Sequence, residues 1–294
     1  MTDARLHPIY IDAPPYSAHS GGVRALHLLC HHLNGLGYEA YIIRDAPINA
    51  SSGLRTPALG AVTAMRHKIL RRVPIVVYPE VVAGNPRKGK IVVRFLLNKP
   101  GLLTPGVERT YGDDDYFIHY TEEHAIPGRK SFDAFMPLVD RKTYYPAPPE
   151  TVRQGFVLYS FRSDRDGVAL PAWLAPVVSV SMRHPRSHQE LAALYRQSLA
   201  MVTFERSTAI LEALHCGCPV ICMGGEHLSE GRTYHRLFQG NGLIWGWHEE
   251  KIGAASADTK TFRAAYHALE KSTPERLNEA FENIASDFAR RRAG

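Results

Sequence analysis

The sequence predicts an α/β protein of two domains, each built on a parallel β-sheet with helices on its faces. Short apolar runs rich in β-branched residues alternate with stretches of helical periodicity along most of the chain. A proline-rich segment, Tyr144–Glu150, interrupts this alternation, which then begins again. The length of 294 residues also suits two domains of roughly 150 residues each. We therefore expect two Rossmann-like domains facing a central cleft, because such sheets bind ligands beyond the carboxyl ends of their strands.

The composition excludes several classes of protein. It is 45% hydrophobic and 22% charged, as in ordinary globular proteins, so disordered chains and coiled-coil rods are excluded. No apolar run approaches the roughly 20 residues of a membrane helix, and the N-terminal sequence lacks the apolar region of a secretory signal. The four cysteines are too few for a disulfide framework in a chain of this length. These features predict a cytoplasmic protein.

The positive charge is concentrated in the first half of the chain. Residues 1–145 carry 18 of the 35 Lys and Arg but only 13 of the 29 Asp and Glu, within a total net charge of +6. Two basic stretches there, Met65–Arg72 and Arg87–Arg94, suit phosphate groups or peripheral contact with an anionic membrane, such as the inner face of a membrane. A solvated helix face is the alternative. Nucleic acid is an unlikely partner, because the aromatic residues are not interleaved with the basic ones.

In the first half, strand His7–Asp12 is followed by a turn-rich loop, Ala13–Gly22, and by a helix with Leu26, Leu29 and Leu33 on one face. Glycines end this helix before the next strand. The remaining predicted strands of this half are Glu39–Ile43, Val73–Tyr78, Ile91–Leu97 and Tyr116–Tyr120.

The second half repeats this pattern and ends in a long amphipathic helix, Pro274–Arg292, whose basic end suits the helix dipole. We expect an N-terminal domain over residues 1–145, a second domain over 146–273, and a C-terminal helix over 274–294 that packs back on the first domain. The predicted strands are Phe156–Phe161, Pro176–Ser181, Leu199–Phe204 and Pro219–Met223, and the predicted helices are His188–Arg196 and Ser207–His215.

Two strand-to-helix loops have the composition of ligand-binding loops. In the first, Gly21 and Gly22 allow close approach to the backbone, and the free amides at the helix start favour anions; a plain tight turn is the alternative. In the second, Ser207 is a natural N-cap, and a diphosphate beyond it would gain hydrogen bonds and dipole stabilisation. Glu212, about one and a half turns further on, suits both ribose hydroxyls; the alternative is an exposed helix glutamate.

Other chemistries find no support in the sequence. Cys216, Cys218 and Cys222 lack the C-x2-C pairs of a zinc site, so we expect no metal. The G-x-S-x-G motif of α/β-hydrolases does not occur. The phosphate-loop motif of nucleotide triphosphatases does not occur either.

The segment His188–Met223 resembles the donor-binding half of retaining nucleotide-sugar glycosyltransferases with the GT-B fold. It contains LEALHCGCPVI, which matches that family's pattern L-E-A-x-x-x-G-x-P-V-I. The opening HSGGVRALHLLCHHLNGLGYEAYII resembles the family's N-terminal glycine loop, helix and second strand, and PLVDRKTYYP resembles its passage into the second domain. The middle segment VVYPEVVAGNPRKGKIVVRFLLNKPG is similar to a bacterial branch tied to surface-polysaccharide assembly.

This resemblance implies a glycosyltransferase that moves a sugar from a nucleotide-diphosphate donor to a glycan or lipid-linked acceptor, with retention and without a further cofactor. It also implies site residues. Glu212 would hold the donor ribose, and Glu205 would meet the sugar. The groups lining the donor phosphates would be Gly21, Gly22, Arg162, Arg165, Arg206, Ser207 and Thr208. Apart from the resemblance, Glu80 and His119 each lie at a predicted strand end of the first domain, which makes them candidates to face the acceptor; a purely structural role is the alternative.

The glutamate motif departs from the family's pattern in two respects. Six residues separate Glu205 from Glu212 where the family has seven, and RSTA replaces the usual Gly-Phe-Gly-Leu. This departure keeps open a non-catalytic subunit that binds nucleotide sugars. A nucleotide-sugar epimerase is a further alternative, because some isomerases share this fold.

Overall fold

A computed structural model describes residues 4–43, 53–161, 170–224, 228 and 238–293. The chain divides into two compact units. The first unit comprises Met1–Leu138 together with Leu269–Gly294, and the second comprises Val139–Ala268.

The first unit contains a six-stranded sheet whose neighbouring strands all run parallel. The strands are β1 (Ile9–Asp12), β2 (Ala40–Ile43), β3 (Ile75–Pro79), β4 (Ile91–Leu96), β5 (Tyr116–His119) and β6 (Ser131–Asp133). Their order across the sheet is β2-β1-β3-β4-β5-β6. The five predicted strands of this half are confirmed, whereas the three-residue β6 was not predicted. Every residue of β3 and β4 is buried, as expected for central parallel strands covered on both faces.

The basic stretch that ends at Arg94 is partly used inside this unit. Arg94 is fully buried on β4, where its Nε donates to a carboxylate oxygen of Asp115 at 2.7 Å. Its guanidinium lies over the rings of Tyr78 and Tyr111 and donates to two carbonyls of the loop at residues 80–85. A buried charge needs such compensation. Arg94 therefore stabilises the fold and is not presented to a phosphate or a membrane.

Two helices of the first unit lie between its strands. Helix α1 (Gly21–Gly35) begins two residues earlier than the loop boundary predicts, so both glycines lie in its first turn. Its N-cap Ser20 accepts a hydrogen bond from the Val23 amide at 3.4 Å. Helix α2 (Ala61–Ile69) overlaps the basic stretch Met65–Arg72, for which a solvated helix face was the alternative, and His67 is its only buried residue.

The second unit contains a five-stranded parallel sheet. Its strands are β7 (Phe156–Ser160), β8 (Val177–Ser181), β9 (Ala200–Thr203), β10 (Val220–Cys222) and β11 (Leu243–Trp245). Their order is β11-β10-β9-β7-β8. The four predicted strands are confirmed, and the short β11 was not predicted. A core cluster beside this sheet includes Phe156, Leu158, Val202, Ile221 and Ile244.

Helices α3 (His188–Gln197) and α4 (Thr208–His215) confirm the two helices predicted in this unit. Helix α3 starts with a capping box, in which Ser187 and Glu190 bond each other's backbone amides. The last helix, α5 (Ile252–Ala293), begins well before its predicted start at Pro274, which lies inside it. From Leu269 onward α5 belongs to the first unit, where Leu277, Phe281 and Ile284 are buried.

Within the described part of the chain, no helix combines the length and apolar character that a membrane span requires. The described residues also contain no group of three or more His, Cys, Asp or Glu arranged to hold a metal ion. Burial raises the pKa of the Cys216 and Cys218 thiols to about 12, so both stay protonated at neutral pH.

Candidate functional site

In the sheet of the second unit, the order in which the chain adds strands reverses at β7. The chain passes from β7 to β8 on one side, and β9, which it reaches through α3, lies on the other side. Ligands of open parallel sheets bind outside the carboxyl ends of the strands at such a point. Because Tyr159 pairs with Thr203 in the register, the residues that follow, Ser160 and Phe204, continue side by side at this edge. We call this edge, formed by the carboxyl ends of β7 and β9, the switch-point edge.

Two buried hydroxyl groups lie at the switch-point edge. Ser160, the last residue of β7, is 1% exposed, and its Oγ has no hydrogen-bond partner among the described residues. Ser207 is the N-cap of α4, as predicted, but its Oγ bonds no helix amide and is also buried without a partner in the described part of the chain. Leaving a buried hydroxyl unbonded costs about 1–3 kcal/mol. Both hydroxyls therefore have hydrogen-bonding capacity that the described residues do not use.

The segment that leads into α4 brings four of the predicted residues together. Glu205, Arg206, Ser207 and Thr208 follow β9 consecutively and lie at the switch-point edge. The start of the segment is fixed by Thr203, whose buried hydroxyl accepts the Glu205 amide and donates to the Glu205 carbonyl, both at 3.2 Å. Glu205 is buried. The arrangement combines a buried carboxylate, an arginine and a helix N-terminus, which attracts anions.

Glu212 lies in the middle of α4 and is only 3% exposed. All residues of α4 from Ala209 to His215 are buried, so Glu212 does not belong to a solvated helix face. Burial raises the pKa of the fully enclosed Tyr195 well above its usual value, and the nearby Glu212 carboxylate adds to this effect. The alternative of an exposed helix glutamate is therefore wrong, while the ribose-binding role stays a prediction.

Two predicted phosphate ligands, Arg162 and Arg165, lie outside the described residues. Sequence reasoning missed Ser160, although a weak signal exists. This serine interrupts the apolar run FVLYSF at the point where a parallel strand ends. Its position at the switch-point edge depends on which strands pair, and a local pattern does not contain that information.

In the first unit, Gly21 and Gly22 lie in the first turn of α1, the helix that follows the loop after β1. Neither glycine has a left-handed backbone, and a Cβ on Gly22 would meet Leu97 Cδ1 at 3.7 Å, an ordinary van der Waals contact. The fold itself therefore does not require glycine at position 22. The close backbone approach that these glycines allow remains available to a ligand.

Glu80 and His119 lie at the carboxyl ends of β3 and β5, with β4 between those strands. The Glu80 carboxylate accepts the Leu97 amide at 3.2 Å, and burial raises its pKa. His119 Nδ1 lies 3.0 Å from Ser131 Oγ, and burial lowers its pKa because the imidazolium form loses hydration. The two strands are about 10 Å apart, at two inter-strand spacings. His119 is therefore neutral at pH 7, and both side chains are held by internal hydrogen bonds.

Comparison with protein-family models gives no match for this sequence. Comparison with curated proteins gives none either. Solved structures of glycosyltransferases do share its fold. An O-GlcNAc transferase mutant from Thermobaculum terrenum is 15% identical with a TM-score of 0.55, covering 98% of this chain and 70% of its own.

Two further structures match over nearly their full length. AviGT4, a glycosyltransferase involved in avilamycin A biosynthesis, is 15% identical with a TM-score of 0.57, covering 96% of this chain and 98% of its own. The DNA-modifying enzyme β-glucosyltransferase is 10% identical with a TM-score of 0.57, and the match covers 95% of this chain and 99% of the enzyme's chain. At these identities the similarity establishes the fold alone. The chain has the GT-B fold, with two Rossmann-like α/β units, as the sequence predicts.

Proposed function

We propose that this protein is a glycosyltransferase that moves a sugar from a nucleotide-diphosphate donor to a glycan or lipid-linked acceptor in polysaccharide biosynthesis. The observation that carries the proposal is the pair of buried hydroxyls, Ser160 and Ser207, at the switch-point edge. They lie where an open parallel sheet binds its ligand and where α4 begins. Hydroxyls and helix amides are hydrogen-bond donors, and a diphosphate is rich in acceptor oxygens.

The donor class has support from two sides. The sequence around Glu212 resembles the donor-binding motif of nucleotide-sugar glycosyltransferases. The β-glucosyltransferase that shares the fold is described with its substrate uridine diphosphoglucose. A nucleotide sugar is accordingly the proposed co-substrate, with no separate cofactor.

In this proposal the donor residues divide by the part of the nucleotide sugar that they bind. Glu212 binds the ribose, Glu205 meets the sugar, and the start of α4 binds the diphosphate together with Arg206. The departing diphosphate gains negative charge as the glycosidic bond breaks, and preorganised amides and guanidinium groups stabilise that charge. The remaining proposed phosphate contacts are Gly21, Gly22, Arg162 and Arg165.

The first unit supplies the proposed acceptor residues. His119 is neutral at pH 7, so it is in the protonation state that a general base requires. Glu80, with its raised pKa, is the second candidate. A retaining outcome follows only from the resemblance. Peripheral contact with an anionic membrane is also proposed, because it would bring the enzyme to a lipid-linked acceptor.

A thermal-shift panel of UDP-, GDP-, CMP- and dTDP-sugars tests the proposal. A ligand at about 100 times its dissociation constant adds roughly 2.7 kcal/mol, which raises the melting temperature by several degrees. We expect one nucleotide class to stabilise the wild type and the exposed-surface control Glu279→Gln, but not Glu212→Gln. The melting temperature without ligand shows whether each variant folds. No shift with any nucleotide sugar would refute the proposal.

Turnover separates the proposed transferase from its rivals. Transfer requires an acceptor, whereas an epimerase converts the nucleotide sugar without one. Binding without either reaction would identify a non-catalytic subunit, an outcome that the altered glutamate spacing keeps open.

A further inference from the structure

Helix α2 exposes the apolar side chains that a surface helix normally buries. Val62 is 85% exposed, Met65 65% and Ile69 73%, and Leu70, directly after the helix, is 60% exposed. Only His67 faces the interior. A cluster of exposed apolar residues on one short helix indicates a surface that contacts a partner.

The exposed residues form an ordered stripe. At 3.6 residues per turn, Val62, Met65 and Ile69 fall within an arc of roughly 60°. Arg66 lies on one side of this arc and Lys68 on the other, while His67 points roughly to the opposite side. An apolar stripe flanked by basic residues is typical of helices that lie in a membrane interface.

The charged residues of the segment that carries the stripe have one sign. No Asp or Glu occurs between Asp45 and Glu80, and the basic residues of that interval include Arg66, Lys68 and Arg71. Lys68 and Arg71 are exposed, and Arg66 retains 59% exposure although it pairs with Glu39. The surface therefore complements a negatively charged partner.

The N-terminal turn, which carries another exposed apolar residue, is bonded to the segment that follows α2. Arg72 Nε donates to the carbonyl of Leu6 at 2.8 Å, which fixes the N-terminal turn beside the end of α2. The Leu6 side chain is 61% exposed. The Arg72 guanidinium itself is held by Glu39 at 2.5 Å, so it positions Leu6 and is not a lipid ligand.

We propose that this surface, the α2 face, binds an anionic lipid bilayer. The face consists of Leu6, Val62, Met65, Ile69 and Leu70 with Arg66, Lys68 and Arg71. The apolar side chains enter the boundary between headgroups and acyl chains, and the basic side chains bind lipid phosphates. The inference rests on the proposed function for the nature of the acceptor and adds the residues that make the membrane contact.

The composition of the face argues against other partners. In a symmetric dimer through this face, each copy would bring its own basic residues close to those of its partner, which is unfavourable. Single-stranded nucleic acid binds on aromatic platforms, and the α2 face has no aromatic residue. A bilayer satisfies both the apolar stripe and the basic flanks.

Co-sedimentation with vesicles tests the proposal on the full chain. We expect the protein to sediment with phosphatidylglycerol–phosphatidylcholine vesicles and much less with phosphatidylcholine alone. The triple variant Arg66→Glu, Lys68→Glu and Arg71→Glu should reduce partitioning about 100-fold, since each basic residue contributes about a factor of five or more. The double variant Met65→Ser and Ile69→Ser should reduce it at least tenfold.

Matched controls separate the α2 face from bulk properties. Lys251→Glu, Lys260→Glu and Lys271→Glu change the net charge equally at exposed positions outside α2. Leu103→Ser with Met182→Ser removes two exposed apolar side chains elsewhere. Both controls should bind vesicles like the wild type.

Three results would overturn the proposal. The first is a failure of the wild type to sediment with anionic vesicles, and the second is an equal loss in the controls and the α2 variants. The third is a dimer, seen by light scattering, that Met65→Ser with Ile69→Ser dissociates. The nucleotide-sugar thermal shift, measured on the same variants, tests the donor site separately, so failure of the membrane contact is distinguishable from failure of the transferase proposal.

Discussion

Ser207 and Ser187 occupy the same position at two helices of the second unit but differ in their bonding. Each is the N-cap, of α4 and α3 respectively. Ser187 Oγ accepts the Glu190 amide at 3.3 Å, whereas Ser207 Oγ is buried without a partner among the described residues. Substitution of both by alanine should therefore have opposite effects on the free energy of unfolding.

The magnitudes follow from the bonds that each substitution removes. Ser187→Ala loses a cap, which costs about 1 kcal/mol. Ser207→Ala loses no bond within the described structure and relieves a buried hydroxyl whose cost is about 1–3 kcal/mol. The variant should thus be as stable as the wild type or more stable by up to about 1 kcal/mol. In a protein somewhat larger than this unit, a difference of 1 kcal/mol in the free energy of unfolding shifts the melting temperature by roughly 2–4 °C.

Nucleotide-sugar binding should show the reverse order. A hydroxyl that donates to a charged phosphate contributes about 1.5–3 kcal/mol, so Ser207→Ala should weaken binding at least tenfold. Ser187→Ala should leave the dissociation constant unchanged. Urea denaturation and isothermal titration calorimetry measure the two quantities. If Ser207→Ala destabilises the protein as much as Ser187→Ala, the hydroxyl is bonded in the folded protein and the argument for the site fails.

Three further predictions concern stability. His215 packs edge-on against the ring of Tyr266, and burial together with nearby arginines lowers its pKa to about 4. Because the imidazole of the unfolded chain titrates near 6.5, protonation favours the unfolded state. The free energy of unfolding should therefore fall by about 3 kcal/mol as the pH drops from 6.5 to 4. Replacement of His215 by leucine should flatten this pH dependence in urea titrations. Arg94→Met leaves Asp115 without its buried partner and should cost about 3–5 kcal/mol in the same assay. Gly22→Ala should change the melting temperature by less than about 2 °C, whereas Gly217→Ala, at φ +73° and 3.0 Å from an arginine nitrogen, should lower it by several degrees.

Most strands were predictable because their signal is local. Runs such as VPIVVY and IVVRFLL are apolar along their whole length, as central parallel strands must be. The missed strand β6 (SFD) begins and ends with a polar residue and β11 (LIW) lies between two glycines, whereas β10, equally short, lies in the longer apolar run PVICM. Pro274 suggested a helix start because proline favours first turns, yet α5 continues through it.

Helix α2 was expected only indirectly, as the solvated helix face that the basic stretch Met65–Arg72 could form. Its apolar residues face solvent, and His67 is its only buried side chain, so the inward stripe that identifies a surface helix is lacking. Because the apolar residues of α2 face solvent and not the core, its outer face is the proposed membrane-binding surface.

The candidate site was predictable only in part. Glu205, Arg206, Ser207, Thr208 and Glu212 share one continuous segment, so a motif was sufficient to group them. Ser160 joins them through the pairing of β7 with β9, whose sequence positions lie about 40 residues apart. Strand order depends on the whole sheet, and a linear pattern does not specify it.

The missing hydrogen bonds of the Ser160 and Ser207 hydroxyls also bear on why serine occurs at these two positions. Folding alone would favour alanine at positions 160 and 207, because a methyl group is buried there without the cost of an unbonded hydroxyl. Helix α3 of the same unit forms a complete capping box, whereas the N-cap hydroxyl of α4 bonds no helix amide. Sequences depart from such local rules mainly at functional sites. The two serines lie at one edge of one sheet, at the point where its strand order reverses, which is where the proposed nucleotide-sugar donor would use their hydroxyls.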